Sequence, residues 1–212
     1  MRSTLVLRLI ARHTIGKRVT AMELPDLRPQ LAYAQEWVSS LLENVTDDQW
    51  GDPTPCSEFD VSALTEHIFA LEERLRRLGT IGHVDDAPER IPFATENVAA
   101  HLRSDAAAAM EPWADDARLT AMIRGPWGTS PGAVAIVIYV SEHLAHGWDL
   151  ARATGQPSEA DPAIAAPVLA MMQQNLPAEP RGGPIPFAPV VVPADDAHPT
   201  ERLANWLGRP SR

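Results

Sequence analysis

Along most of the chain the apolar positions recur at the 3.6-residue period of a helix. Leu27, Leu31, Ala34, Trp37, Val38, Leu41, Leu42 and Val45 fall on one face and predict an amphipathic helix over about 27–46, with Asp26 as its N-cap. Between Thr46 and Phe59 the residues Asp47, Asp48, Gly51, Asp52, Pro53 and Pro55 break regular structure, so this segment reads as a surface loop. Asp60 is placed to cap a second helix. Its apolar stripe is Leu64, His67, Leu71, Leu75 and Leu78, which leaves Glu72, Glu73, Arg74, Arg76 and Arg77 mostly for the wet side. A loop of Asp, Pro and Gly from Thr80 to Pro92 then leads to a third helix, about 95–113, carrying Val98, Leu102, Met110 and Trp113, with Pro112 as its terminator.

Further on the pattern shortens and then lengthens again. Arg118 to Ile123 and Thr129 to Pro131 flank Gly125-Pro126-Trp127-Gly128 and read as two short extended pieces around a turn. The run after Gly132, rich in β-branched residues, suits a buried strand as well as a buried helix. Length decides for a helix, because no breaker falls between Ala133 and Gly147 and helix formers continue to a terminal Gly155. Asp161-Pro162 opens a fifth helix that runs to about Leu176. From 177 to 199 the chain is proline-rich, and Val190-Val191-Val192 suits an edge strand or a segment laid against the bundle. A short last helix, Thr200 to Leu207, brings Leu203, Trp206 and Leu207 back as a lid.

The candidate chemistry depends on the fourth helix. If helical, Glu142 and His146 stand one turn apart with Cβ atoms roughly 6 Å from each other, close enough to share a metal ion. In a strand they would be about 13 Å apart, too far for one ion. On the second helix His67 lies within about 60° of Leu64, Leu71 and Leu78 and points inward with them. Two histidines and one carboxylate from two facing helices make a three-ligand site with an open coordination position, as catalytic metal sites have. The same spacing is met by a solvated Glu142–His146 pair and a hydrogen-bonded core His67. Against that stands the cost of a carboxylate on the face shared with Ala135, Ile138 and Tyr139. Asp149, three residues after His146, is placed to orient its imidazole.

His143 is the alternative ligand, and His101 on the third helix an outlying one. Cys56 precedes His67 by eleven residues, about 16 Å by helical rise, and is not expected to join the site. Two histidines and a carboxylate can also hold Fe(II) in a non-haem oxygenase. A metal site with a structural or sensory role, in a non-enzymatic or stress-response module, is a further reading.

Charge and composition narrow the partners. The net charge is −10, yet residues 1–22 carry Arg2, Arg8, Arg12, Lys17 and Arg18 with no acid. An acidic body repels nucleic-acid phosphates, so no nucleic-acid partner is expected. The basic leader, 1–22, reads as disordered or as an upstream start, with Met22 the natural first residue. It is no secretory signal, because Arg8 interrupts its apolar run. No apolar stretch reaches the ~18 residues of a membrane span. The single Cys56 excludes an internal disulfide and fits a reducing cytoplasm. Residues 23–212 are expected to form one domain with a C-terminal arm from about 177, as a monomer or homodimer.

Pro55-Cys-Ser-Glu-Phe-Asp-Val61, Leu64-Thr-Glu-His67, Pro126-Trp-Gly-Thr129, and Glu142 followed by His146-Gly-Trp-Asp-Leu-Ala-Arg-Ala-Thr-Gly155 together resemble the DinB-like metal-binding superfamily. Within it the chain is most similar to the branch of the mycothiol-dependent maleylpyruvate isomerase N-terminal domain, in order and spacing over about Leu24 to Gly208. The resemblance implies an all-α, DinB-like four-helix bundle, joined here by a short β-hairpin, a C-terminal proline-rich arm and short helices. It implies a divalent metal, most often Zn2+ with Ni2+, Mn2+ or Fe2+ as alternatives, held at the positions of His67, Glu142 and His146. The open position would take the sulfur of a small-molecule thiol, mycothiol in actinobacteria, for transfer or isomerase chemistry on an electrophile. The departure is C-terminal: the full isomerase looks to carry a larger second domain, where this chain has the proline-rich arm and a short helix.

Overall fold

The structure, a computed structural model, describes residues 25–181 and 187–211; the basic leader lies outside them. Helix α1 spans Arg28–Leu42, α2 Val61–Ile81, α3 Val98–Met110, the single-turn α4 Ala117–Thr120, α5 Gly132–Ala153, α6 Pro162–Asn175 and α7 Pro199–Trp206. Strands β1 (Met122–Gly125) and β2 (Gly128–Pro131) form an antiparallel hairpin that pairs Ile123 with Ser130 and Arg124 with Thr129. The fold is thus all-α with one short hairpin. Helices α1, α2, α3 and α5 make the bundle, with α1 against α5 and α3, and α2 against α3 and α5. None of the described helices is long and apolar enough to cross a membrane.

Local chemistry sets the ends of these elements. In α1 the N-cap position belongs to Leu27, and the Asp26 carboxylate accepts the Arg28 amide at 3.0 Å from one residue further out. The helix closes at Leu42 instead of about 46, because Asn44 and Val45 turn their amides to Leu41 and Leu42 three residues back and tighten the last turn. Asp60 caps α2 as expected, its Oδ1 accepting the Ala63 amide at 2.7 Å. At the far end Gly82, with φ 77°, supplies the left-handed residue that lets its amide reach Arg77 O.

Helix α3 starts three residues later than the periodicity suggests, after Asn97 in a left-handed conformation (φ 55°). It gives way at Glu111 to a short 3-10 turn built around Pro112. That turn buries Trp113 completely, and the indole Nε1–H donates to Leu75 O at 3.1 Å. The first expected extended piece is divided: Asp115 accepts the Ala117 amide at 2.9 Å and starts α4, so only Met122 onward is strand.

The ambiguous run is helical, as its length required. Burial around α5, including Ile136, Val140 and Leu144 at 0% exposure, explains why β-branched residues occupy a helix there. Asp161 caps α6 through the Ala163 amide at 2.8 Å. Among the described residues of the arm no strand forms; Val191 donates its amide to Asn205 O at 3.0 Å and so lies against α7. Helix α7 buries Leu203 and Ala204, and its C-cap Leu207 joins Leu203 in the core; α7 packs against α5 and α6, so it completes the core where a lid was expected.

Candidate functional site

Helix α2 presents His67 to α5, which presents Glu142 and His146 one turn apart. One donor atom from each of the three lies within 4.8 Å of the others, an arrangement that could hold a metal ion. Oε2 of Glu142 is 3.3 Å from Nε2 of His146. The His67 and His146 rings meet edge to face with centroids 5.0 Å apart. Phe59, from the loop before α2, stacks on His67 at 5.1 Å and touches His146 edge-on at 6.2 Å. Glu142 keeps about a quarter of its side chain exposed (25%), which gives the group one side open to solvent.

Each imidazole is held by a neighbour. Nδ1 of His146 lies 3.1 Å from Oδ2 of the fully buried Asp149, so Nδ1–H donates to that carboxylate and Nε2 is turned toward Glu142 and His67. Phe59 stacks on the other ring, that of His67, and limits its movement. Burial, with His146 beside it, pushes His67 down to about 3, so this histidine is a neutral nitrogen donor at physiological pH. Burial alone would raise Glu142, but its hydrogen bond and charge contact with His146 outweigh that and hold it at about 2, ionised. His146 faces carboxylates on both sides, and Asp149 and Glu142 raise it although burial opposes them.

His143 is turned away from this group. Its Nδ1–H donates to Tyr139 O at 2.8 Å and its Nε2 lies 2.9 Å from Oε1 of Glu72. Gln35 donates to the other Glu72 oxygen at 2.7 Å, completing a buried polar cluster between α1, α2 and α5. Glu72 is 1% exposed, so its assignment to the wet side is corrected: a helix face that meets two neighbours buries more than its leucine stripe. His101 is exposed on α3.

Cys56 also departs from expectation. The 16 Å estimate assumed a straight continuation of α2, whereas the loop folds back. Cys56 Sγ comes within 4.8 Å of donor atoms of His146 and Asp149. Arg209, which no periodicity marks, enters from beyond α7 with Nε 3.3 Å from Oδ2 of Asp149. Two surface clefts, lined by Leu42, Trp50, Asn97 and Arg103 and by Gln35, Ser39 and Ala106, include none of the three converging donors.

Residues 31–151 match the family described as mycothiol maleylpyruvate isomerase N-terminal domain. Two Mycobacterium tuberculosis proteins, from strains H37Rv and CDC 1551 and both described as uncharacterized, are each 35% identical over 179 residues. The match covers 84% of this chain and 95% of each relative. No solved structure matches the chain.

Proposed function

Because this chain belongs to the mycothiol maleylpyruvate isomerase N-terminal domain family, we propose that it binds a divalent metal and works as a metal-dependent thiol transferase or isomerase. The observation that carries this reading is the convergence of His67, Glu142 and His146 within 4.8 Å of one another. The donor set suits the ion. A neutral His67 nitrogen, an ionised Glu142 oxygen and an imidazole already turned by Asp149 form a nitrogen-and-oxygen set with one carboxylate. Such a set favours Zn2+, with Ni2+, Mn2+ and Fe2+ as further candidates.

When bound, the ion would supply Lewis acidity at an open position, deprotonating a low-molecular-weight thiol of the mycothiol type so that its sulfur is nucleophilic at neutral pH. The protein's own groups provide the setting. Asp149 keeps the proton on Nδ1 of His146, and Phe59 stacks on His67 and covers the rings from one side. The exposed edge of Glu142 leaves that side free for a thiol and its electrophilic partner.

Metal analysis of the purified protein tests this directly. Near-stoichiometric divalent metal is expected in the wild type, with loss in His67→Ala, Glu142→Ala and His146→Ala. Full metal content in all three variants would sink the reading. Thiol consumption with mycothiol and a panel of electrophiles, present in the wild type and absent in His146→Ala, is the expected activity. Metal that stabilises the fold while no thiol binds would point instead to a non-enzymatic module.

A further inference from the structure

Behind His146, on the side away from Glu142, lies a second group of donors. Cys56 Sγ, Asp149 and His146 each offer an atom within 4.8 Å of the others, and by donor type alone they too could hold a cation. A cation is already there. The Arg209 guanidinium, 12% exposed, places Nε 3.3 Å from Oδ2 of Asp149 and Nη2 3.9 Å from Cys56 Sγ. Its Nη1 donates to Leu207 O at 3.1 Å. The same Asp149 oxygen receives His146 Nδ1 at 3.1 Å, so one carboxylate atom joins the guanidinium to the imidazole.

The delivery of Arg209 is built into the backbone. Gly208 adopts φ 88° after α7, and Arg209 N bonds back to Ala204 O at 2.9 Å, the reversal that ends many helices. A Cβ at Gly208 would meet Ala188 O at 2.8 Å, so the arm passes close by and a side chain there would displace it. Asp149 is wholly buried and its Oδ1 has no hydrogen-bond partner, so Oδ2 alone ties it to both His146 and Arg209.

We propose that Arg209 is a positioning residue: it pins Asp149 against Nδ1 of His146, and thereby presets Nε2 of His146 for the metal held with His67 and Glu142. This rests on the metal-binding reading above and adds to it a dependence on the C-terminal segment, which lies outside the matched residues 31–151. Without the guanidinium, Asp149 is a buried charge free to turn away, and the Cys56, Asp149 and His146 group loses its resident cation.

The test is Co2+ titration of the full chain, read both as affinity against a competing chelator and as the visible spectrum of the bound ion. Arg209→Gln is expected to weaken Co2+ binding about tenfold, the scale at which groups behind metal ligands act. In an Asp149→Asn background the same substitution is expected to add no further loss. Arg209→Lys keeps the charge but loses the planar fork, and should lose about threefold with the same dependence on Asp149. It serves as the variant should Arg209→Gln not fold. A new sulfur-to-cobalt charge-transfer band in Arg209→Gln, abolished by Cys56→Ser, is expected once the resident cation is gone. Wild-type affinity in both Arg209 variants overturns the proposal, as does full additivity with Asp149→Asn. A wild type that binds no Co2+ sinks the functional reading itself, and this inference with it.

Discussion

His146 has a carboxylate at each ring nitrogen, Asp149 at 3.1 Å and Glu142 at 3.3 Å, and this is why its proton is retained above the usual histidine range. A metal ion must displace that proton from Nε2, whereas His67, held at about 3, has none to give. Metal uptake near neutral pH is therefore expected to release about one proton per ion, and affinity to fall about tenfold per pH unit once the pH drops below the raised pKa of His146. Calorimetric titration in two buffers of different ionisation enthalpy counts the protons; no release at pH 6.5 would contradict the geometry. The neighbouring His143 carries a different prediction. Burial opposes its charge, but Glu72 and the Tyr139 carbonyl prevail and raise it. Its contribution to stability is thus fully present below pH 6.5, the unfolded value, and is lost as pH rises through the folded one. Glu72→Gln should cost metal-free protein about 3 kcal/mol at pH 6 and flatten that dependence, as urea melts at several pH values would show. The three converging donors could be found from sequence because helical spacing puts Glu142 over His146 and His67 among leucines. Glu72 with His143, and Cys56 with Arg209, could not, since each pair meets only through tertiary contacts spanning 71 and 153 positions.

Helix α5 bears the site and is also where a neighbour approaches most closely. Gly147, next to His146, faces Trp37 of α1 so tightly that a Cβ there would stand 2.4 Å from the indole Cζ3. Gly147→Ala gains about 1 kcal/mol of helix propensity but must push the ring aside at a cost of about 1–3 kcal/mol. The expected outcome is a modest net loss of stability together with weakened metal binding, because the displaced contact adjoins His146, one of the three proposed metal ligands. Trp37→Leu in the same background should recover part of both, and recovery of neither would mean that the contact is not what limits the substitution. That α5 is a helix was readable from the length of an unbroken run, despite its β-branched content. Boundaries set by single local events were not: the tightened last turn at Val45, the left-handed Asn97 and the bond from the Ala117 amide to the Asp115 carboxylate leave no periodic trace.

At the scale of the molecule, the bundle follows from four amphipathic or buried runs that must cover one another's apolar faces, which is why the all-α architecture could be anticipated. The role of the last helix could not. A stripe of Leu203 and Leu207 reads alike for a lid and for a core element, and only packing against α5 and α6 decides between them. This packing joins the C-terminal segment to the helix that carries Glu142 and His146, so occupancy of the site should be felt by the whole fold. An ion that binds only the folded chain stabilises it by RT ln(1 + [L]/Kd), about 2.7 kcal/mol at a hundredfold excess over Kd. For a chain of about 200 residues each kcal/mol moves Tm by roughly 2–4 °C, so saturating Zn2+ should raise the melting temperature of metal-free protein by roughly 5–11 °C. Chelation should reverse the rise, and His146→Ala should show none. An equal rise in wild type and His146→Ala would locate the stabilising ion elsewhere on this acidic surface, whereas a rise confined to the wild type ties the stability of the whole fold to the three converging side chains.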